Sequence, residues 1–263
     1  MLLAVLHSTR YTYAEEVRRS TQYIRLTPHT ESQQRTVNWE VRLPEPSVTM
    51  SDAFGNTTHV LTLDKPHHEI KLVARGSVEV PDIDDGEPAG SVNPLVFLRS
   101  TPLTAPDEAI ASFVDPMRST VRARPLIGLT DLMNAVFDRV PRREGATTPD
   151  TTASEAFALQ AGVSQDQSHV FIACCRTMGV PARYVSGYAY SPNREQVASC
   201  AWAEAWLANR WVSFDVANAR DARGGHIKLA VGLDYLDACP VRGVRLGGGG
   251  EELFTSADVR ATQ

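Results

Sequence analysis

The strongest constraint on the fold is a helical segment followed directly by three β-rich segments. Residues 165–178 carry apolar side chains at helical spacing, and Gly179 and Pro181 end the helix. The β-branched and aromatic content of the next stretch is typical of strands. The three predicted strands are residues 182–190, 199–207 and 211–216. One helix followed by several antiparallel strands predicts an α+β fold.

The chain ahead of this helix divides into a β-rich part and a mainly helical part. Residues 1–80 consist of short β-rich runs broken by turn residues, which predicts an N-terminal antiparallel β-sandwich domain. Residues 81–106 are predicted to be a linker, because the 81–94 stretch holds four acidic residues, two glycines and three prolines. The second domain is predicted over residues 107–263. Its expected helices before the strands are residues 107–113, 126–140 and 152–160.

Composition excludes several classes of protein. The 263 residues are 43% apolar, which is enough for a substantial core, and the net charge of −5 argues against a nucleic-acid-binding surface spread over the fold. The apolar runs are far shorter than the ~20 residues that span a bilayer, so no membrane association is expected. The first six residues are predicted to be a strand rather than a signal peptide, and a cytoplasmic location is expected.

The cysteines and glycines indicate neither a metal site nor a cofactor site. The four cysteines lack zinc-ligand spacing, and two of them are adjacent, so reduced thiols are expected. Residues 247–250 are all glycine, but no Lys-Ser/Thr pair follows them, so they do not form a phosphate-binding loop. They are predicted to be a flexible loop before a last strand near Leu253. No metal and no organic cofactor is predicted.

Several motifs in the second half resemble those of a known family. Gly-Val-Ser-Gln-Asp at residues 162–166 and Met-Gly-Val-Pro-Ala-Arg-Tyr at 178–184 are similar to the nucleophile helix and following strand of bacterial transglutaminase-like cysteine proteases. Ala-Trp-Ala-Glu at 201–204 and the strand that ends at Asp215 extend the resemblance. The β-rich N-terminal part resembles the domain that is usually attached to these proteins, through residues 25–28 and 52–56.

The resemblance implies a papain-like, transglutaminase-like core with a Cys-His-Asp triad that acts on peptide or protein substrates. In this chain Ser164 stands at the cysteine position and Cys200 at the histidine position, whereas Asp215 matches. The implied catalytic set is therefore Ser164, Cys200 and Asp215, with Ser164 facing the other two from the start of its helix. The supporting or substrate-binding residues implied beside them are Gln165, Asp166, Trp202 and Glu204.

A Ser-Cys-Asp set is a weak proton relay, because a serine hydroxyl needs a strong base and a nearby carboxylate raises the pKa of a thiol. Cys200 as the nucleophile also lacks a base. His169 is five residues beyond Ser164, which turns it about 140° around the helix, so it is expected to face elsewhere. A remote histidine or one from a partner chain would be needed. His226 matches a C-terminal stretch that is common in the family, with no role assigned.

Two functional hypotheses follow. The first is a peptide amide hydrolase or acyl transferase with an altered triad, in which either Ser164 or Cys200 is the nucleophile. The second is a pseudoenzyme that binds peptides or partners through the same cleft. Structural roles compete with catalytic ones, since Ser164 and Gln167 fit a helix capping box and Cys200 fits a small core residue. Substrate identity and oligomeric state do not follow from the sequence.

Overall fold

The computed structural model describes residues 1–30, 33–81, 86–190, 200–221 and 225–262. The N-terminal strands are β1 (Leu2–Ile24), β2 (Arg35–Arg42), β3 (Val48–Ser51), β4 (Thr57–Leu63) and β5 (His67–Glu79). The helices that follow are α1 (Glu108–Val114), α2 (Arg118–Ala123), α3 (Pro125–Arg139), α4 (Ala153–Leu159) and α5 (Ser164–Thr177). The remaining elements are β6 (Ala182–Ala189), β7 (Cys200–Leu207), β8 (Arg210–Asp215), β9 (Arg220–Asp221), β10 (His226–Gly232), α6 (Tyr235–Ala238), β11 (Val241–Gly247) and β12 (Glu251–Thr262).

β1 organises the N-terminal sheet, whose seven described strands are joined through it. Its first half pairs with β5 and β12, and its second half pairs with β4 and β11, all antiparallel. The pairing register shifts between Thr12 and Val17, and β1 thereby pairs with different strands in its two halves. Leu3 and Val5 alternate with more exposed residues, which gives the first half one buried face.

The tail contributes more to this sheet than the sequence predicts. A flexible loop and one strand near Leu253 are expected, whereas β11 and β12 both pair with β1, and β12 does so from Leu2↔Thr262 to Tyr13↔Glu251. Residues 248–250 form the predicted loop between these two strands, and the predicted strand near Leu253 is confirmed as β12. The sequence does not predict β11, because long-range pairing supplies hydrogen bonds that composition does not reveal. The N-terminal antiparallel unit is confirmed, and the domain boundaries at residues 80 and 107 stay predictions.

The second sheet has the order β10-β6-β7-β8-β9. Ala201, Ala203 and Ala205 of β7 share a core with α5, because their small side chains allow the helix to pack closely. The predicted α+β class with a transglutaminase-like core is confirmed. Predicted residue 199 at the start of β7 lies outside the described residues.

The predicted linker is packed in its described part. Glu87 forms a β-bridge with Trp211, and Phe97, in a short 3-10 helix (Pro94–Leu98), is 1% exposed. The acidic residues at 82–85 lie outside the described residues. Composition does not predict this packing, because the packing depends on one backbone pairing and one buried aromatic side chain. In the described part of the chain, no helix is both long and apolar enough to cross a bilayer.

Candidate functional site

A buried carboxylate and a buried imidazole form the centre of the candidate site. Asp215 ends β8 and His226 begins β10, and Asp215 Oδ2 lies 3.1 Å from His226 Nε2. The side chains are 4% and 7% exposed, respectively. Asn218 Nδ2 donates to the same Oδ2 at 2.8 Å, which fixes the carboxylate. We refer to Asp215 and His226 as the acid-imidazole pair.

Two polar atoms beside this pair have no hydrogen-bond partner in the described structure, His226 Nδ1 and Trp202 Nε1. Because a carboxylate can only accept, Nε2 of the neutral His226 ring carries the proton and Nδ1 carries the lone pair. The Trp202 ring contacts the His226 ring edge to face, with centroids 5.1 Å apart. The site thus offers a buried proton acceptor next to a buried N–H donor.

Cys200 lies near this pair in the sheet. Cys200 of β7 and Lys228 of β10 both pair with Gly187 of β6, and His226 is two residues from Lys228. Two strands that flank a third are about 10 Å apart, so Cys200 and His226 lie on the same part of the sheet with β6 between them. The Trp202 ring lies over Gly187 in this gap, because a Cβ on Gly187 would lie 2.7 Å from that ring.

Ser164 is the first residue of α5 and is half-buried. The predicted capping box of Ser164 and Gln167 is wrong. Val163 is the N-cap, and Gln167 Nε2 instead donates to the Val140 carbonyl at 2.8 Å. Asp166 Oδ2 accepts from the Val163 N–H, so the acidic residue of the first turn satisfies the backbone.

The other residues of the first turns of α5 have structural partners. Asp166 also accepts from Thr147 Oγ1 at 2.7 Å, and burial raises the pKa of its carboxyl. Gln165 Nε2 donates to the Pro149 carbonyl at 3.0 Å, which ties the preceding loop to the helix. His169 is fully buried and accepts the Tyr235 N–H at Nε2, 3.0 Å away, so the prediction that it faces away from the site is confirmed.

Glu204 belongs to a buried cluster of four charges rather than to the acid-imidazole pair. Its carboxylate contacts Arg183 Nε and Lys228 Nζ, each at 2.6 Å. Glu87 contacts the same two cations at 2.9 and 2.8 Å. Burial alone would raise the pKa of Glu204, but Arg183 and Lys228 outweigh it and lower this pKa to about 2. Removing one member would strand a buried charge at a cost of about 3–5 kcal/mol.

The remaining thiols are protected by burial. Cys174 and Cys175 are fully buried in α5, which confirms their predicted packing role, and burial raises the pKa of both. Burial also raises the pKa of Cys239 to about 11. Thiolate character at neutral pH is therefore suppressed at these three positions.

The pairing of His226 is the main feature of the site that the sequence does not predict. His226 follows Asp215 by eleven residues, with β9 between them, so no helical or strand period links the two. The sequence signal that marks His226 is the family resemblance of the stretch around it, and this resemblance does not assign a contact between His226 and Asp215. The predicted Ser164-Cys200-Asp215 relay itself stays a prediction. Among the described residues, no group of three His, Cys, Asp or Glu side chains forms a metal site.

Sequence comparison identifies two matching families on separate parts of the chain. Residues 3–79 match the bacterial transglutaminase-like N-terminal region, and residues 120–216 match the transglutaminase-like superfamily. The second match contains Ser164, Cys200 and Asp215 and ends just after the acid.

Comparison with individual proteins extends these matches to nearly the full length. The uncharacterized protein Rv2569c of Mycobacterium tuberculosis is 28% identical over 272 residues, covering 91% of this chain and 86% of the relative. The uncharacterized protein ML0607 of Mycobacterium leprae is also 28% identical, with 98% of each chain covered. The crystal structure of a candidate cysteine protease from Cytophaga hutchinsonii superimposes with a TM-score of 0.77 at 18% identity, covering 100% of this chain and 92% of that one.

Proposed function

Because the chain belongs to the transglutaminase-like superfamily, we propose that it is a peptide amide hydrolase or acyl transferase whose general base is His226. The observation that carries the proposal is the acid-imidazole pair, in which Asp215 holds His226 Nε2 and leaves Nδ1 as a buried proton acceptor. This pair supplies the base that Ser164, Cys200 and Asp215 lack by themselves.

Cys200 is the proposed nucleophile. A thiol gives up its proton far more readily than a serine hydroxyl, and strand alternation puts Cys200 on the same face of β7 as Trp202, which contacts His226. The Cys200 thiol passes its proton to His226 Nδ1, and the thiolate then attacks the substrate carbonyl carbon. Asp215 stabilises the resulting imidazolium.

The remaining steps conserve the proton. The carbon-sulfur bond forms as the carbonyl π electrons move to oxygen, and Trp202 Nε1 is the proposed donor to that oxyanion. His226 returns its proton to the leaving amine as the carbon-nitrogen bond breaks, which leaves a thioester on Cys200. Water or a second amine attacks the thioester and gives its proton to His226. The carbon-sulfur bond then breaks, and His226 returns this proton to the departing Cys200 thiolate, so the products are an acid or a new amide and the free enzyme.

The rate at which Cys200 is alkylated tests whether His226 acts as its base. From sequence alone, slow alkylation at neutral pH is predicted, because only a carboxylate is assigned near the thiol. With His226 as partner we expect fast, selective labelling of Cys200 by iodoacetamide at pH 7, since the other three thiols are buried. His226→Gln should slow this labelling by roughly tenfold or more.

Turnover of a peptide amide and thioester panel completes the test. Cys200→Ser and His226→Gln should each abolish turnover, whereas Ser164→Ala should retain it. Loss of turnover in Ser164→Ala with none in Cys200→Ser would identify Ser164 as the nucleophile and overturn our assignment. Slow labelling of Cys200 that His226→Gln does not change, together with no turnover, would favour the pseudoenzyme.

A further inference from the structure

A cavity of about 330 Å³ lies where the N-terminal unit, the 87–92 segment and the second sheet meet. Its volume is at the lower end of the range for small-molecule sites, which suits a single large side chain. The lining residues that matter here are Phe54, Phe97, Val92, Gly90, Glu87 and Arg183. None of them belongs to the acid-imidazole pair.

Aromatic rings form one wall of the cavity. The rings of Phe54 and Phe97 are tilted against each other with centroids 5.8 Å apart, and Phe97 packs edge to face on Trp211 at 5.1 Å. Phe97 and Trp211 are each 1% exposed, so Phe54, which is half-buried, is the ring that a ligand would cover. Edge and face contacts between aromatic groups favour an aromatic or large apolar ligand group.

The charged residues of the cavity are already engaged with each other. Arg183 Nη2 lies 2.9 Å from Glu87 Oε2, and the Arg183 guanidinium lies 4.4 Å from the centre of the Trp211 ring. A charged ligand group would have to lose hydration and compete with this buried pair. The paired carboxylate and guanidinium of the lining therefore favour a neutral group over a charged one, and His29 is the remaining titratable residue of the lining.

Trp202 connects the cavity with the candidate site. Phe54 packs against the buried cluster of Trp202, Val185 and Val231, and the Trp202 ring also contacts the His226 ring. An extended peptide advances about 3.3 Å per residue. A peptide whose reacting bond lies at the acid-imidazole pair would therefore present to the cavity a side chain that is not adjacent to that bond.

We propose that this cavity is a substrate subsite that binds a neutral aromatic or large aliphatic side chain of a peptide. The inference rests on the proposed function, because it assigns the substrate class of the same site. It also gives the N-terminal unit a part in recognition, since Phe54 lies in the turn between β3 and β4.

Binding of two capped amino acids, measured by protein-observed NMR titration, tests the subsite. The probes are N-acetyl-L-phenylalanine amide and N-acetyl-L-glutamate amide. Phe54→Ala removes the exposed ring, and Gly90→Leu fills space: a Cβ at Gly90 meets nothing within 4 Å, and its φ is not positive. Phe254→Ala is the matched control, because Phe254 is 67% exposed on β12 and does not line the cavity.

We expect the phenylalanine probe to bind the wild type and Phe254→Ala equally, and to bind Phe54→Ala and Gly90→Leu about tenfold more weakly. The glutamate probe should bind none of them measurably. Equal binding to all four proteins, or a preference for glutamate, would overturn the subsite. His226→Gln should bind the phenylalanine probe as tightly as the wild type does. The experiment therefore distinguishes a failure of the proposed catalysis from a failure of the proposed subsite.

Discussion

At the scale of single residues, His7 shows how burial sets the charge of a side chain. His7 is 3% exposed, and its ring nitrogens lie 2.6 Å from the Tyr188 hydroxyl and 2.7 Å from Thr9 Oγ1. Burial lowers the pKa of His7 from 6.5 to about 4. As the pH falls, the unfolded chain therefore binds a proton at His7 before the folded chain does. The free energy of unfolding consequently decreases as the pH drops below about 6.5.

We expect this histidine to lower the free energy of unfolding by about 2 kcal/mol between pH 7 and pH 5. His7→Gln should show that much less acid destabilisation in urea titrations at the two pH values. His68→Gln is the control, because His68 is exposed. The same pH dependence in His7→Gln as in the wild type would contradict the assignment.

At the scale of elements, the first turn of α5 depends on a side chain inside the helix. Asp166 accepts hydrogen bonds from the Val163 N–H and from Thr147, both at 2.7 Å. We expect Asp166→Ala to lower the free energy of unfolding by about 2 kcal/mol, because it removes a cap and leaves two donors unpaired. Asp166→Asn should lower the free energy of unfolding by a smaller amount, since the amide oxygen of asparagine still accepts hydrogen bonds.

Gln165→Ala is the control in the same turn, because the Gln165 side chain is half-buried and makes one hydrogen bond, to the Pro149 carbonyl. Its effect on urea unfolding should stay near 0.5 kcal/mol or below. An Asp166→Ala variant as stable as Gln165→Ala would show that the cap contributes little. This experiment tests the stability of the first turn of α5 without changing Ser164.

At the scale of the whole molecule, the two sheets share a core. Tyr188, Ile227 and Leu229 of the second sheet pack with Val259 of β12 and with the N-terminal strands. We expect Val259→Ala to cost about 2 kcal/mol, since the residue is 4% exposed. Tryptophan fluorescence and circular dichroism should report the same shift in the urea midpoint, because three of the four tryptophans lie in β7 and β8.

Phe254→Ala on the same strand should leave that midpoint almost unchanged, because Phe254 is mostly exposed. Independent units would give another pattern: the far-UV signal of the N-terminal strands would shift in Val259→Ala while most of the tryptophan signal would not. Such a split would contradict the shared core.

The sequence by itself determines the elements whose signals are local. The end of α5 follows from Gly179 and Pro181, and three strands of the second sheet, β6, β7 and β8, follow from their composition, because propensity and periodicity act over a few residues. The sequence does not predict β9 and β10. The addresses of Ser164, Cys200 and Asp215 likewise follow from motifs that are continuous in the chain. Sequence reasoning also predicts that His169 points away from Ser164, since helix geometry fixes the angle between its residues.

Only the tertiary structure decides the contacts between distant segments. The pairing of Leu2 with Thr262 and the hydrogen bond from His226 to Asp215 depend on how strands are ordered in a sheet, which local periodicity does not encode. The capping of α5 by Asp166 rather than Ser164 depends on where the first turn begins. β8 and β10 are separated in the sheet by β7 and β6, so the contact of Asp215 with His226 forms only when the folded sheet brings their side chains together.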